Sequence, residues 1–133
     1  MVIANNYAKV LDEFRNSNEH KPIYVFAVLK MDEFVDKWSV LICIDWINSD
    51  NRKRVFNSFI KSLQNNLSKE EMSEIARVSF YTPDEHLMKL FAEKFSTGQH
   101  IKEDAKVNGN TIHEGYIILI DKGLNSSQSE ESS

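Results

Sequence analysis

Residues 38–48 read WSVLICIDWIN, and the arrangement of the rest of the chain follows from this stretch. Apolar side chains dominate both alternating faces of residues 38–47. One face carries Trp38, Val40, Ile42, Ile44 and Trp46, and the other carries Ser39, Leu41, Cys43, Asp45 and Ile47. Because successive side chains of a strand point to opposite faces, this pattern predicts a β-strand inside a sheet that is covered on both sides. Asp45 is the one acid in the run, close to its carboxyl end.

The residues before this strand predict a helix and a second central strand. Residues 23–30, IYVFAVLK, are also apolar on both faces. The short connection 31–37 makes antiparallel pairing of the two strands the expected arrangement. Further upstream, apolar residues at helical spacing predict an amphipathic helix over 3–16, which ends at the polar residues 16–18.

Two helices and a third strand are predicted after residue 48. The short polar side chains of residues 48–50 are good helix caps. The helix that follows is expected to bury a stripe made of Val55, Phe56, Phe59, Ile60 and Leu63. Ser68 and Glu71 form a capping box for a shorter helix with Met72, Ile75 and Ala76 inward. Residues 77–81 predict a short strand, which a crossover connection would make parallel to 38–47.

The last helix has the clearest local start signal in the chain. Thr82, Pro83 and Glu85 have the residue types of an N-cap, a first helical position and a capping box. The expected buried stripe consists of Leu87, Leu90, Phe91 and Phe95. Gly98 is expected to end this helix in a left-handed conformation.

The chain then predicts a β-hairpin. Asn108-Gly109-Asn110 is a hairpin-turn signal between strands at 100–107 and 111–120. The first arm, HIKEDAKV, is polar and should lie at an edge of the sheet.

The predicted fold class is α+β, with the element order α-β-β-α-α-β-α-β-β. We expect one domain over residues 1–122, with helices packed on a mixed sheet of about five strands. Strands 23–30, 38–47 and 113–120 should be central. Residues 123–133 are rich in Ser and Glu and are expected to be a disordered tail.

Composition narrows the classes of function. The chain has 133 residues and a formal net charge of −4, which argues against a general nucleic-acid-binding protein. A single cysteine fits a reducing compartment, and no apolar run is long enough for a membrane span, so we expect a cytoplasmic location. The abundance of Asn, Lys, Ser and Phe is typical of microbial proteins, which makes a bacterial source the expectation.

A candidate ligand site lies where strands 38–47 and 77–81 end. Ligands tend to bind beyond the carboxyl ends of parallel strands, so polar side chains at those ends would share one rim. The rim candidates are Asp45, Trp46, Tyr81, Thr82 and His86. The alternative is structural: Thr82 is explained by helix capping, Trp46 by packing, and Asp45 by exposure to solvent or by a hydrogen bond from the next loop.

Two further features are candidate interaction surfaces. Arg52-Lys53-Arg54 is the densest cationic run and would form either a solvated helix face or a contact patch for an acidic protein or RNA. His113 lies on one strand face with Thr111 and Gly115, and a glycine inside a strand often marks a bulge or a close approach of another chain. The region 111–116 is therefore a candidate interface.

The sequence contains no motif that identifies a reaction or a family. There is no P-loop, no histidine pair at metal-ligand spacing and no His in fixed relation to Cys43, so we predict no catalytic residue, no metal and no cofactor. The favoured function is a non-enzymatic binding module that acts through a protein partner or a homodimer, using the edge strand of the hairpin. The alternative is a small enzyme or ligand-binding domain with its site around Asp45, Tyr81 and His86.

Overall fold

A computed structural model describes residues 2–34 and 36–121. The predicted tail, residues 123–133, lies outside the described residues. The helices are α1 (Val2–Ser17), α2 (Arg52–Asn66), α3 (Lys69–Ser73) and α4 (His86–Lys94), with a 3₁₀ turn at Asp32–Phe34. The strands are β1 (Val25–Met31), β2 (Trp38–Cys43), β3 (Ile75–Tyr81), β4 (His100–Ile101), β5 (Ala105–Val107) and β6 (Asn110–Ile120).

The strands form one mixed six-stranded sheet in the order β3-β2-β1-β6-β4, with β5 also paired to β6. β2 pairs antiparallel with β1 and parallel with β3, as the connections predicted. The α+β class and the central positions of β1, β2 and β6 are confirmed. The sheet has six strands instead of about five because the predicted arm 100–107 is broken at residues 102–104.

Helices cover both faces of the sheet. On one face, α1 and α2 pack over β1 and β2, and the Phe59 ring lies 5.1 Å from Phe14 and 5.7 Å from Phe26. On the other face, Phe91 of α4 and Phe95, the residue after this helix, pack over the second set of strand residues. All six residues of β2 are buried, which confirms that both of its faces are covered. No helix among the described residues is long and apolar enough to cross a membrane.

Several predicted boundaries were wrong, and for α4 a local hydrogen bond explains the difference. β2 ends at Cys43, so Asp45 lies in the loop after the strand. β3 begins at Ile75, so residues 75 and 76 belong to this strand and not to α3. The helix α4 begins at His86, because the Thr82 amide donates to the Glu85 carboxylate at 2.7 Å and residues 83–85 form a turn.

Two predictions about side-chain and glycine conformation also need correction. Phe56 is not part of the buried stripe of α2, since 40% of its side chain is exposed. Gly98 is left-handed, with φ of +85°, but it lies beyond the end of α4 and donates its amide to the Ile117 carbonyl at 2.7 Å. The hairpin turn is as predicted, with positive φ at Asn108 and Gly109.

Gly115 is required by close packing within the chain itself. A Cβ atom at this position would lie 2.7 Å from Leu29 Cδ2 and 3.3 Å from the Val28 carbonyl oxygen. The sequence predicted a close approach here, and the approaching chain segment is β1. The glycine therefore needs no partner chain to explain it.

We expect Gly115→Ala to lower the free energy of unfolding by about 1–3 kcal/mol, because the added methyl group overpacks the contact with β1. Chemical denaturation measures this change. Thr111→Ala, on the same strand at a half-buried position, is the control and should cost less than about 1 kcal/mol. Equal, small effects of both substitutions would contradict the packing account.

Candidate functional site

The outer edge of β3 has backbone groups with no partner in the sheet. The Ile44 amide donates to the Tyr81 carbonyl at 3.0 Å, so the backbone groups of Tyr81 point toward β2. The N–H and C=O groups of Ser79 also point toward β2, because the direction of the backbone groups alternates along a strand and Ser79 is two residues from Tyr81. The N–H and C=O groups of Val78 and Phe80 therefore point away from the sheet. No backbone hydrogen bond from the described residues reaches them there.

A groove runs along this edge between β3 and α2. Its wider part has a volume of about 610 Å³ and lies between the start of α2 and residues 78–82. Its narrower part, about 240 Å³, continues beside Ile60, Met72 and Ile75. Phe56 and Val78 line both parts. The two cavities therefore form one groove, which we call the β3 groove, with Phe56 near its middle.

Exposed aromatic side chains lie on both sides of the β3 edge. Of the described residues, Phe56 and Phe34 are the large apolar side chains with the greatest exposure, at 40% and 36%. The Phe56 ring lies 5.9 Å from Phe80 on the α2 side of the sheet. Phe34 lies 5.5 Å from the guanidinium group of Arg77, a β3 residue that also pairs with Glu33 at 3.3 Å. Exposed apolar surface in this position is typical of an interaction site.

The opposite edge of the sheet is protected against strand addition. It consists of β4 with two residues and β5 with three, and the loop 102–104 separates them. Short strands, interruptions and charged residues such as Lys102 and Lys106 are the usual means by which proteins block an edge. β3 has seven residues and a single charged side chain, Arg77. The two edges thus differ in how open they are.

The structure divides the predicted rim residues into two groups. Tyr81 and Thr82 line the wider part of the β3 groove, together with Arg52. Asp45 and His86 do not line it. His86 is an exposed residue at the start of α4.

Asp45 and Trp46 have structural partners. The Tyr24 hydroxyl donates to the Asp45 carboxylate at 2.9 Å. The Trp46 indole N–H donates to the Pro22 carbonyl at 2.6 Å, and its ring stacks on Phe14. These contacts tie the loop after β2 to the segment that leads into β1.

Two pKa values near this loop follow from burial and negative charge. Burial, followed by the hydrogen bond to Asp45, raises the pKa of Tyr24 to about 12. Burial also raises the pKa of the Cys43 thiol to about 12, with smaller contributions from Glu85 and Asp45. Cys43 is therefore a protonated core residue at neutral pH and a poor nucleophile.

The predicted cationic patch lies at one end of the β3 groove. All three cations are exposed on the first turn of α2, and Arg52 lines the groove. Within the described part of the chain, no carboxylate forms an ion pair with any of these three cations. Arg52 is thus available to a negatively charged group in the groove.

His113 lies apart from the groove and connects three elements. Its Nε2 atom is 2.6 Å from the Asp32 carboxylate, and its Nδ1 atom is 3.0 Å from the Asp104 carboxylate. These hydrogen bonds, first that to Asp32, raise the pKa of His113 above its ordinary 6.5. His113 thereby links β6 to the 3₁₀ turn and to the loop between β4 and β5.

Sequence reasoning missed the residues that define the groove, namely Phe56, Val78 and Phe80. No group of metal-ligating side chains forms a metal site among the described residues. Comparison with known proteins finds no matching family model, no matching curated protein and no matching solved structure. The geometry of this chain is therefore the basis for any statement about its function.

We expect Asp45→Asn to lower the pKa of Tyr24 below about 12 but to keep it above 10.0, because the carboxylate is removed and burial remains. Titration of the tyrosine ring signal by NMR measures this. Asp50→Asn, at an exposed position in the same loop, is the control and should leave the value unchanged. An unchanged Tyr24 pKa in Asp45→Asn would contradict the hydrogen bond.

The stabilisation by His113 should depend on pH. Since its pKa is raised in the folded state, its contribution is fully present below pH 6.5 and is lost as the pH rises through the folded-state value. The difference in unfolding free energy between the wild type and His113→Gln should therefore shrink with rising pH. Asp32→Asn should lower the His113 pKa more than Asp104→Asn does. A pH-independent difference would rule out this coupling.

Proposed function

We propose that this protein is a non-enzymatic interaction module that accepts an extended segment of a protein partner as an added strand along β3. The open seven-residue edge of β3, with a groove beside it, is the observation that carries the proposal. The protected state of the opposite edge supports it, because an open edge that serves no purpose is a liability for aggregation. We therefore place the proposed site on β3 and not on the hairpin. The single buried cysteine agrees with a cytoplasmic, reducing location.

Binding by strand addition would use the backbone and side chains of the groove for different purposes. The free backbone groups of Val78 and Phe80 would supply hydrogen bonds, which give affinity without sequence preference. Every second side chain of the added segment would point toward α2 and contact Phe56 or Ile60. Arg52 is the charged residue that lines the wider part of the groove, so a carboxylate on the segment would bind there. The proposed partner segment is thus apolar at alternate positions and acidic near the Arg52 end.

A second candidate function is the binding of a small anionic molecule in the wider part of the groove. Its volume of about 610 Å³ lies within the range of small-molecule sites, and Arg52, Tyr81 and Thr82 offer polar contacts. Native mass spectrometry of gently purified protein tests this candidate. A stoichiometric small mass that Arg52→Gln abolishes would favour it over strand addition.

Peptides selected from a random display library on the wild-type protein should bind through the β3 groove. Phe56→Ala should weaken the binding of these peptides by about 2 kcal/mol, or about 30-fold in Kd, because an aromatic anchor near the centre of the site is lost. Fluorescence anisotropy with the selected peptides measures this loss.

Leu90→Ala is the matched control for this experiment. Leu90 is a half-buried apolar side chain beside β5, at the opposite edge of the sheet. The substitution Leu90→Ala should leave the Kd of the peptides within twofold of the wild-type value, which corresponds to a binding free-energy change below about 0.5 kcal/mol. Peptides that respond to Leu90→Ala and not to Phe56→Ala would place binding at the hairpin edge and refute the proposal.

A further inference from the structure

We infer that the strand added to β3 is β3 of a second copy of this chain, paired antiparallel about a two-fold axis at Ser79. This inference rests on the proposed function, because it uses the same edge and groove, and it specifies the partner. The result would be a homodimer with a continuous sheet across both copies.

The usable part of the edge is short and well defined. At its start, the pairing of β2 with β3 shifts register between Trp38 and Ser39, which leaves Ala76 in a bulge. At its end, the Thr82 amide already donates to Glu85 at 2.7 Å. Val78 and Phe80 are therefore the residues whose outward backbone groups are both regular and uncommitted.

Only one register of self-pairing satisfies both residues. An axis at Ser79 places Val78 opposite the partner's Phe80, so each pair exchanges two hydrogen bonds. An axis at Val78 would pair Phe80 with the partner's bulged Ala76. An axis at Phe80 would pair Val78 with the partner's Thr82, whose amide is occupied. The local structure of β3 thus selects Ser79 as the centre.

Side chains on both sides of the sheet suit the same two-fold axis. Phe56 lies near the middle of the groove, so the two copies would bring their exposed rings together close to the axis. On the other face, Arg77 would lie opposite the partner's Tyr81, where a guanidinium group can pack on a ring.

Charge at the two ends of the groove is complementary across this axis. The first turn of α2 contains three cations and no acid. Residues 69–74, at the other end of β3, contain three glutamates and one lysine. Because the two-fold axis reverses the strand direction, the Arg52 end of one copy meets the Glu74 end of the other. An unrelated partner strand would have no such built-in match.

The direct test is disulfide cross-linking of Ser79→Cys. Ser79 would face the partner's Ser79 in a pair without hydrogen bonds, with Cα atoms about 4.5 Å apart, which lies within disulfide range. Mild oxidation should convert most of this variant to a covalent dimer. The native Cys43 is buried, so wild-type protein should give none.

Two other cysteine variants test the register and the edge. The two Arg77→Cys positions would be four residues out of register, about 13 Å apart, and should not cross-link. Lys106→Cys, at the opposite edge, should not cross-link either. Failure of Ser79→Cys to cross-link, or cross-linking of Lys106→Cys in its place, would overturn the inference.

Sedimentation of the variants without introduced cysteine gives an independent test. Wild-type protein should dissociate on dilution, and Phe56→Ala should weaken self-association at least about tenfold. Arg52→Glu should also weaken it, and Arg52→Glu combined with Glu74→Arg should restore it. Failure of the double variant to recover dimerisation would overturn the charge match and the proposed axis with it.

The outcomes also separate this inference from the proposed function. If the protein stays monomeric at its highest soluble concentration, but the Phe56→Ala variant no longer binds the selected peptides, β3 is a site for another partner. In that case the second copy is excluded and the interaction module stands. A dimer that is unaffected by Phe56→Ala and binds no such peptide would overturn both.

Discussion

The parallel pairing of β3 with β2 determines both the centre of the sheet and the position of its open edge. β2 is buried on both faces, so it needs a strand on each side and helices above and below. The chain supplies the second neighbour only after α2 and α3 have crossed one face of the sheet. Up to residue 121, where the described part of the chain ends, no later segment pairs outside β3. The same crossover therefore completes the core around β2 and leaves β3 as an open edge next to α2.

The functional interpretation follows from the difference between the two edges of the sheet. The β4 and β5 edge is short, interrupted and charged, and His113 holds its loop through Asp104. The β3 edge carries free backbone groups, a groove and exposed Phe56. Backbone N–H and C=O groups without a partner at an edge bind water in the free protein and are available to a second strand. An interaction module binds its partner through these groups. In a two-fold dimer, β3 of a second copy would occupy them.

Sequence patterns were sufficient to predict the elements and the core, because helical and strand periodicities are local and strong. The fold class, the central strands, the parallel β2–β3 pair and the Asn108-Gly109 turn are confirmed. The exposure of Phe56 was not predictable from the helix pattern, because it depends on where the sheet ends beneath α2. The position of Asp45 outside the groove was not predictable either, because its partner Tyr24 lies in the segment that leads into β1 and that contact depends on tertiary structure. Whether a strand lies at an edge is decided by the whole topology.

Residue-resolved amide hydrogen exchange along β3, followed as a function of protein concentration, would show whether this edge is open. In dilute solution, the amides of Val78 and Phe80 should exchange much faster than those of Ser79 and Tyr81, because only the latter pair donates into the sheet. Both fast amides should become protected as a second strand binds at higher concentration. Slow exchange at all four positions at every dilution would contradict an open β3 edge and the function proposed for it.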